Sequence, residues 1–197
     1  MSCCRDNATR AKRQTGVVKD YSLAPAEVWI DHRLAVQDSP IEGRGLFFVE
    51  AFPAGKTLIR LGGQLVSSAE LEVLMGRAEA DPNAPYVDTI TVYNGVHLVL
   101  PPSTPIHFGN HSCDPNLWLV GPYEIVARRA VSAGEEATLD YGTISGAEGF
   151  QMACHCRTTH CRTTVTSADW KVRELQERYR GHWTPALQAR IDGARIE

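Results

Sequence analysis

The chain has 197 residues, of which 43% are apolar, and a formal net charge of -3. That length suits one domain, which buries roughly 70% of its unfolded-chain surface without disulfide staples, and the near-neutral charge excludes a whole surface built to grip nucleic acid. No apolar run approaches the roughly 18 residues of a membrane span and no apolar stretch of a signal peptide opens the chain. The expectation is a soluble intracellular monomer, cytoplasmic or, in a eukaryote, nuclear, with no membrane partner.

In chain order, residues 1–27 are expected to form a flexible basic tail, with Arg5, Arg10, Lys12, Arg13 and Lys19 set against Asp6 alone in the first 19 positions. Cys3 and Cys4 sit in this tail and receive no role. Val28 to Val36 is expected to be a strand leading into a turn at Asp38, Ser39 and Pro40, and Leu46 to Val49 another, ended by Pro53 and Gly55. Short strands then recur at Thr57–Leu61, Gln64–Val66, Asp88–Tyr93, Val96–Leu100, Leu117–Val120, Glu124–Ala127 and Ala137–Leu139, separated by Gly, Pro or Asn. The pattern predicts small sheets and lacks the strand-helix alternation of a doubly wound fold.

One insert, about 67–80, reads as a helix: Ser67 and Glu70 make a capping box, and Leu71, Leu74 and Met75 share a face. Near the end, Ser167 is expected to cap a helix with Val172, Leu175 and Tyr179 on one face and Glu174 and Arg178 four apart, stopping at Gly181. Thr184-Pro185 opens a last short helix carrying Leu187 and Ile191.

Chemistry-bearing residues concentrate in four blocks. Gly43-Arg44-Gly45 is a turn without the third glycine of a dinucleotide fingerprint. Asn110-His111-Ser112-Cys113-Asp114-Pro115-Asn116 packs donors, acceptors and a thiol into seven positions, and Glu135 to Tyr141 is an acidic run ending in a phenol. Cys154, Cys156 and Cys161 cluster within eight positions, which in a reducing compartment reads as metal ligands or free thiols rather than as disulfides. His155 and His160 are available as substitute ligands.

These four blocks, in this order, resemble the SET-domain methyltransferases with their post-SET zinc motif. The resemblance implies a β-rich SET fold of several small sheets of the β-clip type, a knot-like C-terminal core, one short insert helix and C-terminal helices. It divides the chain into a SET domain at 28–143, a post-SET segment at 144–166 and a helical extension at 167–197. It implies S-adenosylmethionine at Gly43, Arg44, Gly45, Asn110 and His111, and a structural zinc held by Cys113, Cys154, Cys156 and Cys161. Tyr141 would be the active-site tyrosine, and Tyr86, 24 residues before Asn110, a second channel tyrosine for which Tyr93 competes. Asn116 would fix the local turn. Trp170 would either wall the adenine or lysine site or simply pack on its helix.

The implied reaction is methylation of a protein lysine, on a histone or ribosomal protein. A catalytically silent peptide-binding module and a small-amine methyltransferase are the alternatives, and intact Asn110, His111 and Tyr141 speak against the silent one. The chain departs from the family pattern at Gln64, Leu98, His107, Arg157 and Thr163. At the last two the usual residue is glycine.

Overall fold

Short runs cut off by Gly, Pro or Asn, together with unexpected strands at Asn110–His111, Gln151–Ala153 and Thr164–Thr166, make thirteen strands among residues 24–194, the residues that the structure, a computed structural model, describes. Arg5 to Lys19 of the basic tail, with Cys3 and Cys4, lie outside the described residues. In chain order the first strands are β1 (Trp29–Ile30), β2 (Leu34–Asp38), β3 (Arg44–Phe48), β4 (Thr57–Arg60), β5 (Gln64–Ser67), β6 (Thr89–Tyr93) and β7 (Val96–Val99). After them come β8 (Asn110–His111), β9 (Leu117–Val120), β10 (Glu124–Ala127), β11 (Glu136–Leu139), β12 (Gln151–Ala153) and β13 (Thr164–Thr166).

They form four small sheets, ordered β1-β4-β10-β9, β2-β3-β11-β8, β5-β7-β6 and β12-β13, and none closes into a barrel. All the described pairings are antiparallel except one: β8 runs parallel to β11, with Asn110 opposite Thr138 and His111 opposite Leu139. This pairing brings the central block alongside the acidic run, 28 positions later in sequence. Leu46, Phe48, Leu58, Ile59, Leu61, Val92, Leu98 and Leu119 are the most buried apolar side chains of the core between the sheets.

The expected strand at 28–36 is broken into β1 and β2 at Asp31. Its carboxylate accepts from the Arg33 main-chain N–H at 3.0 Å and pairs with the Arg33 guanidinium at 2.8 Å, a local alternative to ladder bonding. Ala24 packs on the core, and Pro25 O accepts from Gly63 N–H, so residues assigned to the tail at 24 and 25 belong with the sheets.

The capping box forms as expected and starts α1 (Ser68–Ala80), where Glu70 N–H meets Ser67 Oγ and Ser67 N–H meets the Glu70 carboxylate at 2.7 Å. No α1 residue is fully buried. The Ser167 cap does not form. Asp169 takes the Thr166 N–H and hydroxyl, a 3₁₀ turn follows at Asp169–Lys171, and α2 is only Arg173–Arg178, its Val172 cap position exposed. The Glu174–Arg178 pair is present at 2.6 Å. α3 (Pro185–Ala194) buries Leu187 and Ile191 against Leu175, Tyr179 and Trp183, a second apolar cluster. Among the described residues no helix is long and apolar enough to cross a membrane.

Candidate active site and metal centre

The turn between β2 and β3 closes with Ser39 N–H on Gly43 O, and Gly43 takes φ +46°, a left-handed conformation that glycine adopts without strain. Open space lies where a Gly43 side chain would point. Gly45 is held to glycine by crowding, because a Cβ there would lie 2.2 Å from Glu136 Oε1. Asn110 joins the two. Its Nδ2 reaches Glu136 Oε1 at 2.7 Å, Arg44 O at 3.0 Å and Ser39 Oγ at 3.1 Å. Ser39 Oγ also donates to the Glu136 carboxylate, so Ser39 and Glu136, which carried no role in the sequence, fix the turn against β8.

His111 is buried and turns away from that turn. Its Nδ1 accepts from Tyr141 N–H at 3.1 Å, and its Nε2 lies 3.3 Å from Cys113 Sγ. Burial, the largest influence, draws its pKa down to about 4 against the opposing pull of Asp140, so the ring is neutral. Since Nδ1 accepts, the hydrogen sits on Nε2 and points at sulfur. The imidazole therefore orients a thiol instead of presenting itself to a cofactor. What remains for a ligand at this position is the main chain of β8, the edge strand of its sheet.

Cys113, Cys154, Cys156 and Cys161 converge, with all four sulfurs within 4.8 Å of one another and Cys113 Sγ 3.7 Å from Cys154 Sγ. Four sulfurs at about 2.3 Å from a common centre stand about 3.8 Å apart, so the quartet fits a tetrahedral zinc. Arg162 N–H and Thr163 N–H point at Cys113 and Cys161 sulfur, donors that suit thiolates. Burial pushes the Cys113 thiol up to about 11, a balance that a divalent cation reverses. His155 is drawn off as a ligand because its Nδ1 pairs with Glu42 at 2.9 Å, linking the cysteine loop to the glycine turn. His160 is likewise outside the quartet. Arg157 and Thr163, which stand where the family pattern has glycine, keep the left-handed backbone at φ 55° and 60°.

Arg162 anchors this loop to the acidic run. Both terminal nitrogens lie 2.6 Å from the Asp140 carboxylate, and Nε approaches Asp169 at 3.1 Å without hydrogen-bond alignment. Asn116 does more than close its own turn, since it accepts from Thr138 N–H and donates to Glu136 O across to β11.

Beside these groups a cavity of about 370 Å³ opens, walled by Leu46, Ile106, Gly109, Leu139, Ile144 and Phe150. Tyr141 lines it with its hydroxyl donating to Gly109 O, and burial, followed by the charge of Asp88, raises the phenol above its ordinary pKa. Tyr86 also lines it, but at the rim, 80% exposed. Tyr93 packs instead against the main core. Trp170 does not reach the cavity: its ring rests on the Leu175–Ile191 cluster, where apolar burial holds it, and Lys171 sits over its face at 5.5 Å. The Arg44 guanidinium stacks over Phe108 at 4.9 Å.

A family model described as the SET domain matches residues 43–142. A histone-lysine N-methyltransferase named as H3 lysine-4 specific, from Mycosarcoma maydis, is 32% identical over 142 residues, covering 66% of this chain and 9% of its own length. This chain thus spans less than a tenth of that relative. Among solved structures, the methyltransferase domain of human SETMAR, a histone-lysine N-methyltransferase, superposes with a TM-score of 0.52 at 18% identity, covering 67% of this chain and 57% of that one. KRYPTONITE, solved with mCHG DNA and SAH, gives 0.50 at 23% identity over 67% of this chain and 28% of its own. At these identities the two structures bear on the fold alone.

Proposed function

The chain belongs to the SET domain family, and from that premise we propose that it is a protein-lysine N-methyltransferase using S-adenosylmethionine, held together at its C-terminal side by zinc. The observation that carries this reading is the parallel pairing of β8 with β11, which sets the Gly109–His111 main chain beside Asp140 and Tyr141 at the wall of an apolar cavity. The open space beside Gly43, the Asn110-fixed turn and the free edge of β8 fit a nucleoside and amino-acid moiety, with Gly43, Gly45, Arg44 and the backbone of Asn110 and His111 as its contacts. That ligand supplies an electrophilic methyl on a positive sulfur.

Methylation of an amine is a direct displacement, so the protein must align the reacting atoms and receive the amine uncharged. A lysine of reference pKa near 10.4 costs roughly 4 to 5 kcal/mol to deprotonate at pH 7, at about 1.36 kcal/mol per unit. The carbon-lined cavity lowers that cost because burial disfavours the ammonium. Tyr141, its hydroxyl committed to Gly109 O, presents a fixed phenol oxygen toward the reacting amine, and Tyr86 closes the rim. Cys113, Cys154, Cys156 and Cys161 would hold zinc, which supplies a cross-link between the central block and the cysteine loop.

Histones are the first acceptors to try, with ribosomal proteins next, because the curated relative is named for a histone lysine. The test is incubation with labelled S-adenosylmethionine and each acceptor, then mass spectrometry of the labelled product. Methylated lysine supports the reading. Binding of the methyl donor without label on any lysine, in these proteins or in a lysate of the source, overturns it.

A further inference from the structure

Resting on that reading of the site, we infer that Asp88 selects a cationic acceptor: its carboxylate, held by His107 in the wall of the cavity shared with Tyr86 and Tyr141, docks the incoming ammonium. The cavity lining carries one carboxylate, Asp88, and among the described residues neither Lys nor Arg lines it. A long apolar chain with a positive tip complements this wall, whereas an anionic tip is repelled by the Asp88 carboxylate.

The carboxylate is positioned as well as present. His107 Nε2 lies 2.9 Å from Pro101 O, a group that can only accept, so this nitrogen carries hydrogen and fixes the ring. Its Nδ1 faces Asp88 Oδ2 at 3.1 Å, and with hydrogen already on Nε2 it donates to that oxygen in the protonated ring, an ion pair made through one carboxylate oxygen. Asp88 is 30% exposed, which leaves it reachable from solvent. Its charge also reaches the two tyrosines, raising both phenols as the second influence after burial.

Docking and transfer pull in opposite directions. A carboxylate favours the ammonium form, and displacement requires the neutral amine, so the side chain must leave Asp88 and move inward before methyl transfer. Asp88 accordingly acts on capture, and its removal should appear in KM. Neither Asp88 nor His107 belongs to the blocks that mark the family in the sequence; 19 positions separate them, and only the fold joins them.

The test uses the zinc-loaded full chain saturated with S-adenosylhomocysteine, titrated by NMR with n-butylammonium chloride and with 1-butanol. The parent should bind the ammonium about tenfold more tightly, and Asp88→Asn and Asp88→Ser should bind the two alike. In methyl transfer to core histones or to the acceptor found by labelling, kcat/KM of Asp88→Asn should fall about tenfold, through KM, with less salt dependence than the parent. An ammonium preference retained in both variants, or a loss confined to kcat, overturns the inference. A preference that depends on Asp88 in a protein that methylates no lysine sinks the lysine-methyltransferase reading and leaves the cation site standing; methylation with parental KM in Asp88→Asn does the reverse.

Discussion

Replacing Arg162 by methionine removes the cation from the most buried ion cluster of the domain. Asp140 is 1% exposed and Asp169 9%, and Arg162 gives Asp140 two contacts of 2.6 Å. After the substitution Asp140 keeps the Gly142 N–H at 2.9 Å and the Tyr179 hydroxyl but no cation, so its charge stays in a dry site without the guanidinium that balanced it. Breaking a buried pair from one side costs about 3 to 5 kcal/mol. At about 2 to 4 °C per kcal/mol for a chain of this size, the melting temperature should fall by roughly 6 to 20 °C. The assay is urea and thermal unfolding with zinc content measured on the same samples, since Arg162 N–H also meets Cys113 sulfur. Adding Asp140→Asn should recover at least half of the loss, because it removes the stranded charge. A single-variant cost below about 1 kcal/mol, or a double variant no better than the single, would refute the reasoning.

Three further outcomes are expected. The protein should hold about one zinc, released by chelators with loss of structure around β12 and β13, and His111→Ala should weaken zinc by about ten- to a hundredfold by removing the donor to Cys113; elemental analysis showing under a tenth of an equivalent would contradict the quartet. Tyr141→Phe should lose about a hundredfold in turnover with unchanged calorimetric affinity for S-adenosylmethionine, while the parent rate climbs above pH 7 as the acceptor amine deprotonates. The side-chain bond from Arg33 holds Asp31 down at about 2, so the pair's contribution is full above the unfolded carboxylate pKa near 4 and fades as pH falls through about 2; Arg33→Ala should therefore destabilise at pH 7 and very little at pH 2 in urea unfolding, and equal losses at both would count against it.

Features written in local pattern were legible. Leu117–Val120 and Glu124–Ala127 are short runs bounded by turn signals and emerge at their expected bounds, and Ser67 with Glu70 announces α1 because both partners of the cap lie within one turn. Three of the four thiols were legible as neighbours, and Cys113 joined them through the family resemblance alone. Where a polar side chain competes with the backbone, the pattern misled: Asp31 interrupts a strand, and Asp169 displaces Ser167 as the organiser of the last helical segment. Side-chain direction was not written locally. Whether His111 faces a ligand or a thiol depends on β11 running beside it, and the Asp88–His107 and Arg162–Asp140 pairs join residues 19 and 22 positions apart. Thr163 and Arg157 show the converse, a backbone retained after the glycines that usually permit it are gone.

The quartet also orders events in time. Cys113 stands 41 positions before Cys154, the nearest of its fellow ligands in sequence, and the β9-β10 hairpin and β11 lie between them. During synthesis those strands leave the ribosome while the central block still lacks three of its four sulfurs, and local pairings close faster than distant ones. A zinc ion bound by the quartet would thus arrive at a core already assembled. It would act as a latch that secures the finished fold, and a nascent chain stalled before Cys154 would present Cys113 without its three fellow thiols.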